Sequence, residues 1–322
     1  MPAVKGMGLV RKLRLALPAL LVGALLAGCK APEPGPTGTA AVVQATQTAA
    51  ASATAAAPTV TPEPTATPIP LLVTVNGHDI PLAVYDQELA RCQKGLTAAA
   101  LDPATCPATV YQTLLEQAVV EQAAAAAGLT TDPAAVDAAL ETITTELGGP
   151  SALAAWLQVN LYTPAELRAA LAAEQVRAKM MAQVTAAVPP VAEQVHARDI
   201  LLTDADTAQE VLNLLAGGAD FALLALNYSR DLGSRAAGGD LGWFARGTLT
   251  QPAVEAAAFA LEPGQTSVVI ESSLGFHIVQ VLERDPARPL SPAAAQTLRA
   301  AAYTAWIEAQ LAAAHIVHHT GG

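Results

Sequence analysis

The stretch from about 291 to 314 reads as one Ala-rich helix whose apolar residues, Leu298, Trp306, Ile307 and Leu311, have no neighbouring segment to pack against. A lone helix of this length is marginal in water, so its apolar stripe needs a partner face. Sequence of the same kind lies before Pro189-Pro190. There the apolar spacing predicts helices over roughly 83–94, 108–127, 133–147, 150–159 and 164–187. The last helix is therefore expected to pack back on these earlier ones. The segment between, 193–286, then becomes an insertion. The expected fold class is α+β: a small antiparallel sheet with surrounding helices, inserted in an all-α domain made of 71–190 and 290–318.

Local signals fix several boundaries. Asp132-Pro133 and Thr163-Pro164 each place a capping residue before a proline at the first helical position. Gly128 and Gly148-Gly149 mark helix ends. At 71–82, LLVTVNGHDIPL reads as a strand, an Asn76-Gly77 turn and a short second strand.

The insertion has a different character. It reads as a strand (195–202), helices at 204–216 and 219–228, a glycine-rich turn, a helix at 252–260, and strands near 266–270 and 275–283. GGDLGWF is read as that turn, with Trp243 and Phe244 as packing residues. It lacks the Lys-Ser/Thr that a phosphate cradle needs.

The first residues predict a destination. Lys5, Arg11, Lys12 and Arg14 precede an apolar run, Leu15 to Leu26, that is too short to span a bilayer comfortably. Residues 1–28 are read as a signal peptide. Leu26-Ala27-Gly28-Cys29 resembles a bacterial lipobox, which implies a lipid on Cys29 and an extracytoplasmic, membrane-anchored protein. Residues 29–70, rich in Ala, Thr and Pro, are expected to be a disordered tether. With a net charge of −11, the chain has no electrostatic footprint for nucleic acid. Cys92 and Cys106 read equally as a disulfide or as two buried thiols. No cysteine–histidine cluster suggests a metal site. His315, His318 and His319 are expected to interact with the C-terminus of the last helix.

Along the insertion, HARDILL, GGADFALLALNYSRD, GGDLGWFARGTL, AAFALEPGQTS and SSLGFHIVQV follow one another in an informative order. In order and spacing they resemble the parvulin family of peptidyl-prolyl cis/trans isomerases. The flanking helices, from NGHDIPLAVYDQEL onward, look like the helical chaperone domain found around parvulins in secreted foldases. The resemblance implies an isomerase of X-Pro bonds acting on unfolded or newly exported polypeptides. Such a site needs no cofactor, because no bond is made or broken: the amide has only to lose its resonance as it twists, against a barrier near 20 kcal/mol.

Strand alternation separates His196 from Asp199, so the two are not a dyad. The resemblance places Asp199, Asp231, His277 and Ser272 as catalytic-site residues, and Leu249, Val254 and Phe259 as the proline pocket. His196 is expected on the surface. Two positions depart from the family pattern. Asp199 stands where a histidine is expected, and Val254 where a proline-stacking Phe is expected, after a loop, TLTQPAV, one residue longer. The departures predict a weakened isomerase. The alternative they raise is a non-catalytic chaperone or peptide-binding protein built on a degenerate parvulin domain.

Overall fold

The computed structural model describes residues 69–319. The expected signal peptide, the lipidation site Cys29 and the tether as far as residue 68 lie outside the described residues. Two compact units are present, one running to Tyr111 and including Val317 onward, the other from Gln112 to Ile316.

In the first unit, β1 (Leu71–Val75) and β2 (His78–Pro81) form a hairpin. Asn76 and Gly77 turn it with φ of 51° and 81°, the positive pair that suits a tight turn between twisted strands. Val73, Val75 and Ile80 point inward and are buried. Helix α1 (Leu82–Ala98) follows. A disulfide joins Cys92 on α1 to Cys106, the first residue of α2 (Cys106–Ala126), so of the two readings open for these cysteines the disulfide holds. The sheet is completed by β7 (Ile316–His318), in the order β2-β1-β7.

That strand corrects the reading of the C-terminal histidines. His318 Nδ1 lies 2.9 Å from the Tyr111 hydroxyl, and His319 Nε2 lies 2.6 Å from Thr74 Oγ1. The helix ends before them, at Ala313, and Ala314 is already extended. The chain then pairs as a strand, so His318 and His319 meet sheet and helix side chains instead of helix carbonyls.

The second unit holds α3 (Pro133–Leu147), α4 (Pro150–Asn160), α5 (Pro164–Thr185) and α9 (Pro292–Ala313), together with the rest of α2. Asp132 caps α3 through the Ala134 N–H, and Thr163 with Glu166 forms a capping box on α5. Tyr303, Trp306 and Ile307 of α9 pack on Val120 and Ala124 of α2 and Met180 of α5. Leu298 lies elsewhere. Its Cδ2 is 3.3 Å from where a β-carbon on Gly247 would stand, in the inserted domain.

The inserted domain is a four-stranded antiparallel sheet in the order β4-β3-β6-β5, made of β3 (Val191–Leu202), β4 (Asp240–Ala245), β5 (Ile270–Ser272) and β6 (Gly275–Pro289). Its helices are α6 (Ala205–Ala216), α7 (Phe221–Tyr228) and α8 (Pro252–Ala260). Strands β3 and β6 outrun the expected 195–202 and 275–283. They pair from Val191↔Pro289 onward, and the Leu290 N–H donates to the Pro190 carbonyl at 2.9 Å. Entry to and exit from the insertion thus form one hydrogen-bonded ribbon.

Two expectations for this domain change. GGDLGWF is a turn only at Gly238-Gly239; from Asp240 it runs as β4 beside β3, with Val195 opposite Phe244. The strand expected at 266–270 is reduced to a bridge, Thr266↔Gln280, and the regular pairing with β6 starts at Ile270. Two cores cover the two faces of the sheet. Val195, Ala197, Val279 and Val281 pack under Val254, Ala258 and Phe259 of α8. Ile200, Leu202 and Ile278 pack under α6 and α7.

The disulfide spans 14 residues. Replacing both cysteines by serine should destabilise the first unit by about 3 kcal/mol, the loop-closure value for a loop of this size. The measurement is hydrogen exchange of the β1–β2 hairpin amides; unchanged protection would show that the crosslink is dispensable.

Candidate active site

Register places the central pair. Asp199 lies opposite Val279 and His277 opposite Leu201, so Asp199 and His277 are diagonal neighbours on one face of the β3–β6 pair. His277 Nδ1 is 2.8 Å from Asp199 Oδ2. On the other side of the ring, His277 Nε2 is 2.8 Å from the Ser272 hydroxyl, which also accepts the Leu274 N–H at 3.0 Å. Three of the expected site residues thus form one chain: Asp199, His277, Ser272. In a neutral ring, Nδ1 donates to the carboxylate and Nε2 accepts from the hydroxyl.

The chain is deeply set, with Asp199 5% and His277 2% exposed. Burial pushes the Asp199 carboxyl up, and the nearby charge of Asp231 adds to that; the hydrogen bond to His277 opposes both. Its Oδ1 is buried and has no hydrogen-bond partner among the described residues. Asp231 is held down instead, first by the hydrogen bond from the Ser234 hydroxyl, then by the Gly233 and Ser234 N–H groups. The two carboxyls are therefore driven apart. Asp231 keeps its charge, and Asp199 is the reluctant one.

Two further residues complete this corner, and the sequence reading passed over both. The buried Ser229 hydroxyl accepts the N–H groups of Leu201 (3.2 Å) and Asp231 (3.3 Å), tying the YSRD segment to β3. Gly239 lies against Asp199: it accepts the Asp199 N–H at 2.9 Å, and a β-carbon on it would stand 2.4 Å from the Asp199 carbonyl oxygen. Its φ of 84° is a second reason for glycine. The Ser in YSRD and the double glycine were the available signals; their partners lie far away in sequence.

The expected proline-pocket residues meet in one apolar cluster but differ in exposure. Val254 is 1% exposed and Phe259 is also buried, both inside the core under α8, while Leu249 is half-buried at its edge. Phe259 meets Phe244 edge to face at 6.0 Å, and the Arg246 guanidinium stands 4.1 Å over its ring. The longer loop has its own anchor, also missed from sequence. The Glu255 carboxylate accepts the N–H groups of Gly247, Thr248 and Leu249 at 2.7, 3.1 and 3.0 Å.

His196 is on the opposite face but is not a free surface residue. Its Nε2 is 2.7 Å from Asp240 Oδ1, and its ring stacks on Trp243, with Arg288 over the far indole. Among the described residues, no group of three or more His, Cys, Asp or Glu side chains is placed to hold a metal ion.

Comparison with known proteins identifies the two segments that carry these elements. Residues 199–283 match the PPIC-type PPIase domain, and residues 56–181 match the SurA-like N-terminal domain. The chain carries a parvulin domain joined to a helical domain of that kind. A foldase protein PrsA from Geobacillus sp. (strain WCH70) is 40% identical over 98 residues, which is 30% of this chain and 35% of that protein. A foldase protein PrsA from Halalkalibacterium halodurans is 45% identical over 91 residues, 28% of this chain and 27% of that protein. The chain thus spans about a third of the length of the curated relatives it matches. A crystal structure of peptidylprolyl isomerase PrsA from Bacillus anthracis aligns over 62% of this chain and 93% of its own, at 23% identity and a TM-score of 0.44.

Two outcomes follow from the site geometry. Gly239→Ala should cost about 2–4 kcal/mol, because it combines a backbone clash with a left-handed φ; a denaturation midpoint within error of the natural protein would contradict the close approach. Because burial raises the folded-state pKa of Asp199, the fold favours its neutral form. That contribution is full below the unfolded value, about 3.9, and is lost as pH rises through the folded value. The stability of the natural protein relative to Asp199→Asn should therefore fall as pH climbs from about 4. A difference that grows with pH would reverse the assignment.

Proposed function

We propose that this chain is a membrane-anchored foldase that catalyses cis–trans isomerisation of X-Pro bonds in exported polypeptides. The observation that carries the reading is the Asp199–His277–Ser272 chain set beside the apolar core of α8 in a PPIC-type domain. The relatives' name, foldase, supports the same reading. We assign the signal peptide to 1–28, lipid to Cys29, a tether to 29–70, the helical domain to 71–190 with 290–318, and the isomerase domain to 193–286.

The chemistry asked of the site is modest. A twisting amide loses resonance, and its carbonyl and nitrogen change charge with it. Fixed dipoles in a water-poor site favour the twisted state over the planar one. Ser272 and His277 supply those dipoles, and Asp199 holds the ring's orientation. Leu249 supplies the accessible apolar edge for the proline ring. Two features reduce the rate. Val254 is sealed in the core and offers the ring no face, which forgoes about 1–3 kcal/mol of apolar contact. Asp199 and Asp231 place two carboxyls where a carbonyl oxygen must sit.

A second reading, client holding by the helical domain, rests on a separate observation. An apolar cleft of about 310 Å³ lies between α2 and α5, lined by Ala125, Leu129, Ala172, Ala173 and Val176, with Glu121 and Thr131 at its polar points. It is a place for an apolar side chain of an unfolded segment.

A protease-coupled assay on a prolyl tetrapeptide tests the first reading. The natural protein should isomerise it below the rate of ordinary parvulins, and His277→Ala should remove the activity. Asp199→His should raise kcat/KM by about tenfold, the equivalent of about 1.4 kcal/mol, because it removes one of the two carboxyls from where the carbonyl oxygen must sit. Val254→Phe enters a packed core, so it should lower the thermal midpoint and give the ring no new contact. Turnover that survives His277→Ala would remove the site from the mechanism. Suppression of client aggregation with no turnover would favour the holding reading.

A further inference from the structure

Around Asp231 the site's rim is unlike its floor. Asp231 is fixed on both sides: its N–H donates to Ser229 Oγ, and its carboxylate takes the Ser234 hydroxyl and the Gly233 N–H. These partners leave its charge in place at the mouth. The charges that act on Asp199 are those of His277 and Asp231, and the charge that acts on Asp231 is that of His277; no lysine or arginine is among them. Arg230 and Arg235, its sequence neighbours, are exposed, and among the described residues neither forms an ion pair with Asp231 or Asp199.

Two leucines nearby are bare: Leu232 directly follows Asp231, and Leu274 lies beside Ser272, the partner of His277. Leu232 is 77% exposed and Leu274 is 60% exposed. Both sit at the same end of β3. Leu232 follows the segment that Ser229 and the Arg230 N–H pin to Leu201. Leu274 precedes Gly275, whose β-carbon would stand 2.3 Å from the Leu202 carbonyl oxygen, and its N–H bonds Ser272. This end of the site thus offers exposed apolar surface at Leu232 and Leu274 and a carboxylate at Asp231. A long aliphatic stem with a cationic head matches that combination of surfaces, because such side chains lay their stems on apolar ground and keep the charge outward.

We infer that this site selects the residue before proline, with Lys-Pro and Arg-Pro preferred, Leu-Pro accepted and Glu-Pro or Asp-Pro disfavoured, and that Asp231, Leu232 and Leu274 set the preference. The inference rests on the isomerase reading for its substrate and deepens it. Direct contact with a mostly solvated carboxylate contributes a modest, salt-dependent attraction for one charge and an equal repulsion for the other.

The test is a set of blocked peptides Ala-X-Pro-Phe with X as Lys, Leu, Gln or Glu, assayed for turnover and, as fluorescent conjugates, for binding by anisotropy. At low salt, kcat/KM for Lys should exceed that for Glu by about five- to tenfold. In about 0.5 M salt, where the Debye length falls to a few ångströms, the ratio should shrink to about twofold. Asp231→Asn should bring the Lys-to-Glu ratio to about one at either salt concentration, whatever it does to the rate itself. Leu232→Ser should weaken Lys and Leu together and leave Glu nearly unchanged. A Glu peptide handled as well as the Lys peptide, or a Lys preference that survives both salt and Asp231→Asn, overturns the inference and leaves the isomerase reading standing. Absence of turnover with Lys still bound in preference to Glu does the reverse.

Discussion

Strand β3 lies along β6 from Val191, opposite Pro289, to Leu202, opposite Phe276, and most of the rest of the molecule's second unit depends on that pairing. At one end it closes the insertion, holding the entering and leaving chains as a ribbon beside the helices. At the other it sets the candidate site, because the register places Asp199 and His277 on one diagonal. Between them, its two faces seed the two cores. A slip of one residue would turn Asp199 to the wrong face and exchange the apolar sets, so the cores that specify the register also specify the site.

The site is a study in how position divides like groups. Asp199 and Asp231 are chemically the same residue. One is buried with an oxygen that has no partner among the described residues, and the other is half-exposed and satisfied by a hydroxyl and backbone donors. Desolvation governs the first, hydrogen bonding the second. A neutral histidine ring at this position would carry no such penalty, whereas the carboxyl makes the His277 partner necessary and sets an acidic group at the floor of the candidate site.

Helix starts were legible because capping is local. Asp132-Pro133 and Thr163-Pro164 announce helices that begin at Pro133 and Pro164. The Asn76-Gly77 turn was legible for the same reason. β4 was not. Gly238, Gly239 and Gly242 mask its strand signal, and what makes Asp240–Ala245 a strand is the open edge of β3 beside it. The C-terminal histidines were misplaced because the extended Ala314 and the β1 edge are set by the fold and leave no mark in the helical pattern. Within the site, the residue types and face of Asp199, His277 and Ser272 could be read from alternation and resemblance. The clamps by Ser229, Gly239 and Glu255 could not, since each acts on backbone groups that no side-chain pattern reports.

The sequence by itself determined the order of the helices, the opening hairpin and the interruption of a helical chain by an α+β segment. These rest on interactions spanning a few residues, where spacing alone decides geometry. Only the tertiary structure decided that Cys92 and Cys106 are joined, that Val254 is sealed in the core, and that His277 binds Asp199 across 78 residues of chain. The reason is physical. Each of these depends on which surfaces meet, and meeting surfaces are chosen by the packing of the whole unit against the entropy of the chain.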